Sequence, residues 1–315
     1  MVAALIDLIL AAFAQGKGHS FVLWWIYVLP QTWRARGGRS RGPPGSRGMI
    51  KNLLSIAGLD PSGGAGIAAD LKTFAALGCN GMAVIAALTA QNTQGVRAVH
   101  VPLASFAAAQ IDAVFEDIDV AAVKIGMLAS AAVVAAVADR LAFHKPRFIV
   151  LDPVLVATSG DALSAADASE AIVQHLFPLA TLVTPNFSEA ARLSNHAISA
   201  DREGMRRAAA LLHARGAKAV LVKGGHLSGA TSDDLLFDGA SYRFFSVPRV
   251  VTRNTRGTGC TLSSAIAAYL AQGHELGEAI SAAKTYLTGA LAAADQLSAG
   301  HGQGPVNHFH EFWRR

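Results

Sequence analysis

Asn254-Thr255-Arg256-Gly257-Thr258-Gly259-Cys260-Thr261 is the run with the most chemistry in this 315-residue chain. Its glycines precede an apolar stretch that reads as a helix from about residue 262 to 271. Backbone N–H groups at such a helix start converge on one point and favour an anion there. Charge developing on a transferring phosphoryl group is what a turn of this kind can stabilise. A thiol at Cys260 is expected to ionise more readily than a free cysteine, because the helix end and nearby donors favour the thiolate. It could then take or share the proton of an attacking hydroxyl. The bland alternative is a buried, unreactive cysteine.

Three further segments carry polar groups between apolar runs. In Pro185-Asn186-Phe187-Ser188-Glu189, Asn186 and Glu189 are three residues apart and so share one face of a helical turn. Oxygen ligands of this type suit Mg2+ and its waters, although Glu is favoured in a first helical turn for electrostatic reasons alone. Val222-Lys223-Gly224-Gly225-His226 puts a cation and a flexible turn after a strand, and Thr89 to Gly95 reads as a polar loop after another. Within that loop the amide of Gln91 offers one acceptor and two donor hydrogens in a plane, which matches the edge of an aminopyrimidine. Taken alone, such a Gln is ordinarily a solvated loop residue.

The run Gly58-Leu59-Asp60-Pro61-Ser62-Gly63-Gly64-Ala65-Gly66 allows positive φ and close backbone approach to a ligand, or serves as a plain tight turn. Gly64-Ala65-Gly66 begins like a dinucleotide fingerprint. The third position is Ala69, however, and no acid ends a second strand, so a nicotinamide cofactor is disfavoured. No Gly-x4-Gly-Lys-Ser/Thr occurs, which excludes a P-loop.

These segments need rigid elements to position them. Strand patterns fall at 53–57, 82–88, 121–125, 148–151, 181–184 and 219–223. Helical patterns run to about residue 77 and over 103–116, 129–143, 164–176, 187–195 and 201–214. The alternation predicts an α/β fold with a mostly parallel sheet and helices on both faces. Ligands then sit outside the carboxyl ends of the strands, where the loops above lie. No internal repeat or second linker appears, so 49–315 reads as one domain.

Composition narrows the class further. With 52% hydrophobic and 16% charged residues the chain is too apolar for disorder and long enough for one large core. Two cysteines, Cys79 and Cys260, are too few for a disulfide framework and fit a reducing cytoplasm. The net charge of +5 is uneven: residues 1–48 hold six basic side chains against Asp7, and the remainder balances 21 against 21. A folded basic face of the kind that nucleic acid requires is therefore not expected.

Residues 1–48 also hold Trp24, Trp25 and Trp33, two short apolar runs split by Gly16 to Ser20, and a Gly/Pro/Arg-rich stretch over 34–48. Neither run approaches the ~20 apolar residues of a membrane span, and no positive end precedes the first, as a secretory signal requires. The expectation is a disordered basic leader outside the fold, translated upstream of a start at Met49, with a membrane-surface anchor as the sharper alternative.

Taken together, the segments 56–78, 89–96, 124–128, 151–154, 184–190, 222–226, 254–268 and 304–310 resemble the bacterial hydroxymethylpyrimidine/phosphomethylpyrimidine kinases of thiamine biosynthesis, a ribokinase-like family. The resemblance spans essentially all of 49–315. It implies that ATP phosphorylates 4-amino-5-hydroxymethyl-2-methylpyrimidine and that a second ATP converts the monophosphate to the diphosphate. Residue by residue, it implies that Gly58, Asp70 and Gln91 hold the pyrimidine, with Met127 and Val154 as apolar walls. Gly257, Thr258 and Gly259 form the anion hole, and Cys260 stands where sugar kinases of the superfamily carry a catalytic Asp. Asn186 and Glu189 organise Mg2+, Lys223 contacts the nucleotide, and the assembly is a homodimer.

One position departs from the pattern: Arg256 stands where the family usually reads His, and a cation there could be harmless or could hold substrate phosphate more tightly. Three rival readings remain: a pyridoxal or pyridoxine kinase of the same superfamily, a non-catalytic pyrimidine-binding protein or sensor, and a nicotinamide oxidoreductase.

Overall fold

In chain order the first half contains β1 (Asn52–Leu59), α1 (Gly66–Ala76), β2 (Asn80–Asn92), β3 (Gly95–His100), α2 (Ala104–Phe115), β4 (Ala122–Ile125), α3 (Ala131–His144) and β5 (Ile149–Leu151). The second half contains α4 (Ala168–Ala171), which continues as a π-helical turn over Ile172–Leu176, then β6 (Leu182–Val183), α5 (Phe187–Ser194), α6 (Arg202–Ala214) and β7 (Val220–Lys223). A hairpin of β8 (Thr231–Phe237) and β9 (Tyr242–Pro248) follows, and α7 (Thr258–Ala271) and α8 (Leu276–Ala292) close the chain. This computed structural model describes residues 49–155, 167–225 and 227–313. The leader expected over 1–48, His226 and the start of the helix expected over 164–176 lie outside the described residues.

The nine strands form one sheet in the order β3-β2-β1-β4-β5-β6-β7-β8-β9. Pairing is parallel from β2 through β7 and antiparallel at both margins. Period-2 alternation divides the core between the two faces. Leu54, Ile56, Val123, Ile125, Val183, Val220 and Val222 pack with α2 through α6. Leu53, Ala122, Val150, Leu182 and Leu221 pack on the other face with α1, α7 and α8. Every one of these strands is buried on both sides, which is why each reads as a short continuous apolar run.

The sheet margins differ from the sequence expectation. Residues 89–95 are not a loop: β2 continues to Asn92 and pairs antiparallel with β3 across the turn at Thr93 and Gln94, with a register shift between Ala90 and Gln91. An edge strand with one wet face tolerates polar residues, so polarity there did not mark a loop. β8, β9 and α8 were likewise not anticipated. β8 opens on Thr231-Ser232-Asp233-Asp234, a polar start, yet both carboxylates are buried. Arg202 Nη2 meets Asp233 at 2.7 Å, and Lys284 Nζ meets Asp234 at 2.5 Å. Helix α7 starts at Thr258, ahead of the expected 262, because Gly257 takes φ +76 as its N-cap. Among the described residues no helix is long and apolar enough to cross a membrane.

One polar knot crosses the face shared by α1 and α7. Lys124 Nζ of β4 lies 2.9 Å from both carboxylate oxygens of Asp70 on α1. Ser55 of β1 donates to Asp70 Oδ2 at 2.6 Å and Ser264 of α7 donates to Oδ1 at 2.7 Å. All four residues are fully buried. Burial favours the neutral amine of Lys124, but Asp70 outweighs it, and the lysine pKa lies above its ordinary value. Lys124→Met leaves Asp70 charged in the interior without its partner. A loss of about 3–5 kcal/mol in urea unfolding is expected, and a loss below about 1 kcal/mol would show that the knot does not bind these elements together.

Candidate active site

The carboxyl ends of the parallel strands open onto one cavity of about 470 Å3. β1 delivers Gly58 and Asp60, β4 Lys124 and Met127, β5 Asp152 and Val154, β6 Asn186 and Glu189, and β7 Lys223. The start of α7 closes it with Gly257, Thr258, Gly259 and Cys260, and Gln91 of the β2–β3 hairpin stands at the rim. The site flanks the point where strand order reverses about β1, the expected place for a ligand in an open α/β sheet. A second depression, of about 540 Å3, lies at the amino ends of β1, β4 and β5 and includes none of these strand-end loops.

Two glycine loops meet backbone to backbone to form the cavity wall. Gly257 (φ +76) has the Gly64 carbonyl so close that a Cβ would sit 2.0 Å from it. Gly66 (φ +55) would place a Cβ 2.2 Å from the Gly58 carbonyl. At Gly259 a Cβ would crowd Lys223 Nζ at 3.2 Å and Asp152 Oδ2 at 3.4 Å. Only glycine keeps the turn low enough for its N–H groups to face the cavity. Met127, Ala87 and Ala129 cluster with Val154 as an apolar corner, and the Gly58 backbone lies directly against Met127.

Most charge in the cavity is paired; Arg249 also lines it, with a guanidinium that donates to the Gly225, Leu227, Gly229 and Thr231 carbonyls and meets no carboxylate among the described residues. Lys223 Nζ contacts Asp152 Oδ1 at 2.6 Å and Glu189 Oε2 at 3.9 Å, while Arg256 Nε contacts Asp60 Oδ2 at 3.1 Å. Lys284 and Asp234 form the pair at the β8 and α8 side. Around Lys223 two carboxylates share one ammonium. Burial is the main reason that the Glu189 pKa is pushed up to about 7; Lys223 opposes the shift and Asp152 adds to it.

The Asn186 and Glu189 spacing is realised as a capping box: Asn186 Oδ1 accepts from the Glu189 N–H at 2.9 Å, and Glu189 Oε2 accepts from the Asn186 N–H at 2.8 Å. Ser188 Oγ also donates to Asn186 Oδ1 at 2.8 Å. Both lone pairs of that amide oxygen are occupied, so Asn186 fixes the carboxylate rather than offering a free ligand itself. Asp152 and Glu189 are the carboxylates beside it, hard oxygen donors of the kind that fits Mg2+, although Asp152 Oδ1 already accepts from Lys223 and Thr184 and its Oδ2 lies 3.4 Å from Ser263 Oγ.

All of the sequence-predicted site residues line this cavity except Asp70. Asp70 is sealed behind it, with its oxygens committed to Lys124, Ser55 and Ser264, and it reaches the cavity only through Lys124. The expected acidification of Cys260 is also corrected. Burial dominates, Asp70 and Asp152 add to it, and the thiol is pushed up to about 11 although Lys124 and the Gly66 backbone pull the other way. Sequence reasoning assigned no role to Asp60, Lys124, Asp152, Asp234 or Lys284. The legible signal was a lone charge within or directly after a buried strand, as in Ala122-Val123-Lys124-Ile125 and Leu151-Asp152.

Alkylation of Cys260 by iodoacetamide, followed by peptide mass spectrometry, is expected to be slow at neutral pH. It should accelerate about tenfold per pH unit towards pH 11. A rate that is already flat by about pH 8 would mean an ionised thiol and a different electrostatic balance.

The chain matches the family described as Phosphomethylpyrimidine kinase over residues 60–307. It is 56% identical over 266 residues to the hydroxymethylpyrimidine/phosphomethylpyrimidine kinase of Rhizobium meliloti, covering 84% of this chain and 100% of that one. Among solved structures it resembles the ADP complex of Bacillus subtilis pyridoxal kinase, with TM-score 0.78, 33% identity and coverage of 84% of this chain and 100% of that one. It also resembles the phosphomethylpyrimidine kinase of Clostridium difficile, with TM-score 0.67, 42% identity and coverage of 76% and 98%. The resemblance first drawn from scattered motifs thus extends across the sheet and the cavity, and the chain belongs to the phosphomethylpyrimidine kinase family, with its ribokinase-like fold.

Proposed function

We propose that this chain transfers the γ-phosphoryl group of ATP to the hydroxymethyl group of 4-amino-5-hydroxymethyl-2-methylpyrimidine, and then phosphorylates the monophosphate to the diphosphate. The observation that carries this reading is the convergence of the Gly257 to Cys260 turn, the Gly58 and Gln91 rim and the Lys223 cluster on one cavity. Met127 and Val154 give the ring an apolar bed, and the Gln91 amide reads its amino edge. The N–H groups of the turn face the phosphoryl oxygens, and Lys223 neutralises nucleotide phosphate.

Asp152 and Glu189 would hold Mg2+ with its waters, and Asn186 keeps the Glu189 carboxylate in place. Bound there, the ion supplies charge neutralisation for the polyphosphate. Phosphoryl transfer through a loose transition state asks mainly for alignment, and the acceptor hydroxyl gives up its proton late. A thiol as weakly acidic as Cys260 is compatible with that: it lies beside the acceptor, and Lys124 supports the negative charge it would carry once deprotonated. The reading extends to a homodimer in the cytoplasm, with residues 49–315 sufficient for activity.

ADP release by the full chain and by 49–315 should be measured with the pyrimidine, its monophosphate, pyridoxal and pyridoxine. Turnover is expected with the two pyrimidines, equally in both proteins. Preference for pyridoxal would favour the second reading, which the 33% identity and TM-score of 0.78 to a pyridoxal kinase support. Pyrimidine binding without ADP release would point to a non-catalytic sensor. Gln91→Ala is expected to raise the pyrimidine KM more than it lowers kcat. Cys260→Ala should lower kcat on the order of 10²-fold if the thiol accepts the proton, and full activity would reduce Cys260 to packing.

A further inference from the structure

Arg256 is nine-tenths and more buried, at 4% exposure, yet only one edge of its guanidinium is used. Nε contacts Asp60 Oδ2 at 3.1 Å, and among the described residues no acceptor meets Nη1 or Nη2. These nitrogens are not sealed in protein, because the residue lines the cavity and neither atom is a buried, unpartnered one. An arginine carries five N–H donors in a planar fork, and a desolvated fork with its outer edge free is complementary to a phosphate dianion.

The side chain is also held in place. Its backbone N–H donates to the Gly304 carbonyl at 3.0 Å, and Gly64 packs so closely on the stem that a Cβ there would be 2.9 Å from Cδ. Asp60 in turn is fixed by the Ser62 backbone N–H and Oγ, at 2.8 and 2.7 Å on Oδ1. Burial works against the Asp60 charge. Hydrogen bonds from Ser62, the Arg256 guanidinium and the Gln91 amide prevail, and its pKa lies below the usual carboxylate value. Asp60 therefore anchors the inner edge of the guanidinium and leaves the outer edge towards the cavity.

The anion-binding turn consequently has two unlike flanks. Beside Gly259 one ammonium faces Asp152 and a Glu189 carboxyl that burial leaves only partly ionised, a flank with no net positive charge and suited to a metal-bound polyphosphate. Beside Gly257 the guanidinium faces one carboxylate, and Lys72 stands behind with its ammonium on the Gly63 carbonyl at 2.8 Å, a local excess of positive charge suited to a bare phosphate. The second flank is also the one continuous with Gly58 and Gln91, where the acceptor ring would lie.

We infer that Arg256 is a specificity-determining residue that grips the phosphate already present on the acceptor in the second phosphorylation, with a phosphomonoester as its ligand. This rests on the proposed pyrimidine kinase reading. The test is calorimetric binding of the pyrimidine and of its monophosphate to the full chain without ATP, in wild type, Arg256→Gln and Arg256→Lys. Arg256→Gln should weaken the monophosphate about tenfold or more beyond any change for the unphosphorylated ring. Arg256→Lys, which keeps a charge on Asp60 but lacks the fork, should fall between them. Equal losses for both ligands, no loss, or a loss confined to ATP in a parallel titration would overturn the inference. If wild type releases ADP with the pyrimidine while monophosphate binding ignores Arg256, this inference alone fails. If wild type neither binds nor turns over either pyrimidine, the kinase reading fails with it.

Discussion

The buried pair of Asp70 and Lys124 is the interaction on which the rest of the site depends. Taking both charges out of water is costly, and it is tolerated here because Ser55 and Ser264 complete the coordination of the carboxylate. Four elements, β1, α1, β4 and α7, each contribute one member. The start of α7 is thereby tied to the same strands whose carboxyl ends carry Gly58 and Met127. A shift of α7 along its axis would break the Ser264 contact and leave Asp70 Oδ1 one hydrogen bond short. The Gly257 to Cys260 turn is thus registered to Gly58 and Met127 by a polar lock, while apolar packing on both faces supplies the bulk of the stability.

The same lock sets the chemistry of Cys260. Burial is the main force against the thiolate; Lys124 favours it, but Asp70 and Asp152 oppose it. A helix N-terminus alone would have lowered the thiol pKa; the low-dielectric floor reverses the sign. That reversal moves the chemical burden onto alignment and backbone donors, consistent with a reaction whose transition state forms little bond to the acceptor.

Much of this was legible in the sequence, for physical reasons that also explain the gaps. Doubly buried parallel strands stand out as apolar runs, and glycines forced by backbone contact, such as Gly66 and Gly257, mark loops that must touch. The margins were not legible. β3, β8 and β9 lie at or near sheet edges, and the polar starts of β8 resemble a loop until Arg202 and Lys284 are brought to Asp233 and Asp234 from distant segments. Asp70 illustrates a different gap: its match to the family motif is sound, but one-dimensional reading cannot tell a carboxylate that faces the cavity from one that faces a lysine behind it. Asn186 is similar, because the spacing that would place a ligand is also the spacing of a capping box.

The uneven charge of the chain takes on a local meaning from this geometry. Outside residues 1–48 the positive and negative side chains balance, so no long-range field draws phosphate to the fold. Selectivity must come from how each cation in the cavity is paired. Lys284 is matched by Asp234 and Lys124 by Asp70. Lys223 is over-matched by two carboxylates and suits phosphate that arrives with a metal. Arg256 is held by Asp60 along one edge, and among the described residues its Nη1 and Nη2 meet no acceptor. Pairing geometry, and not net charge, is what distinguishes the Lys223 end of the cavity from the Arg256 end.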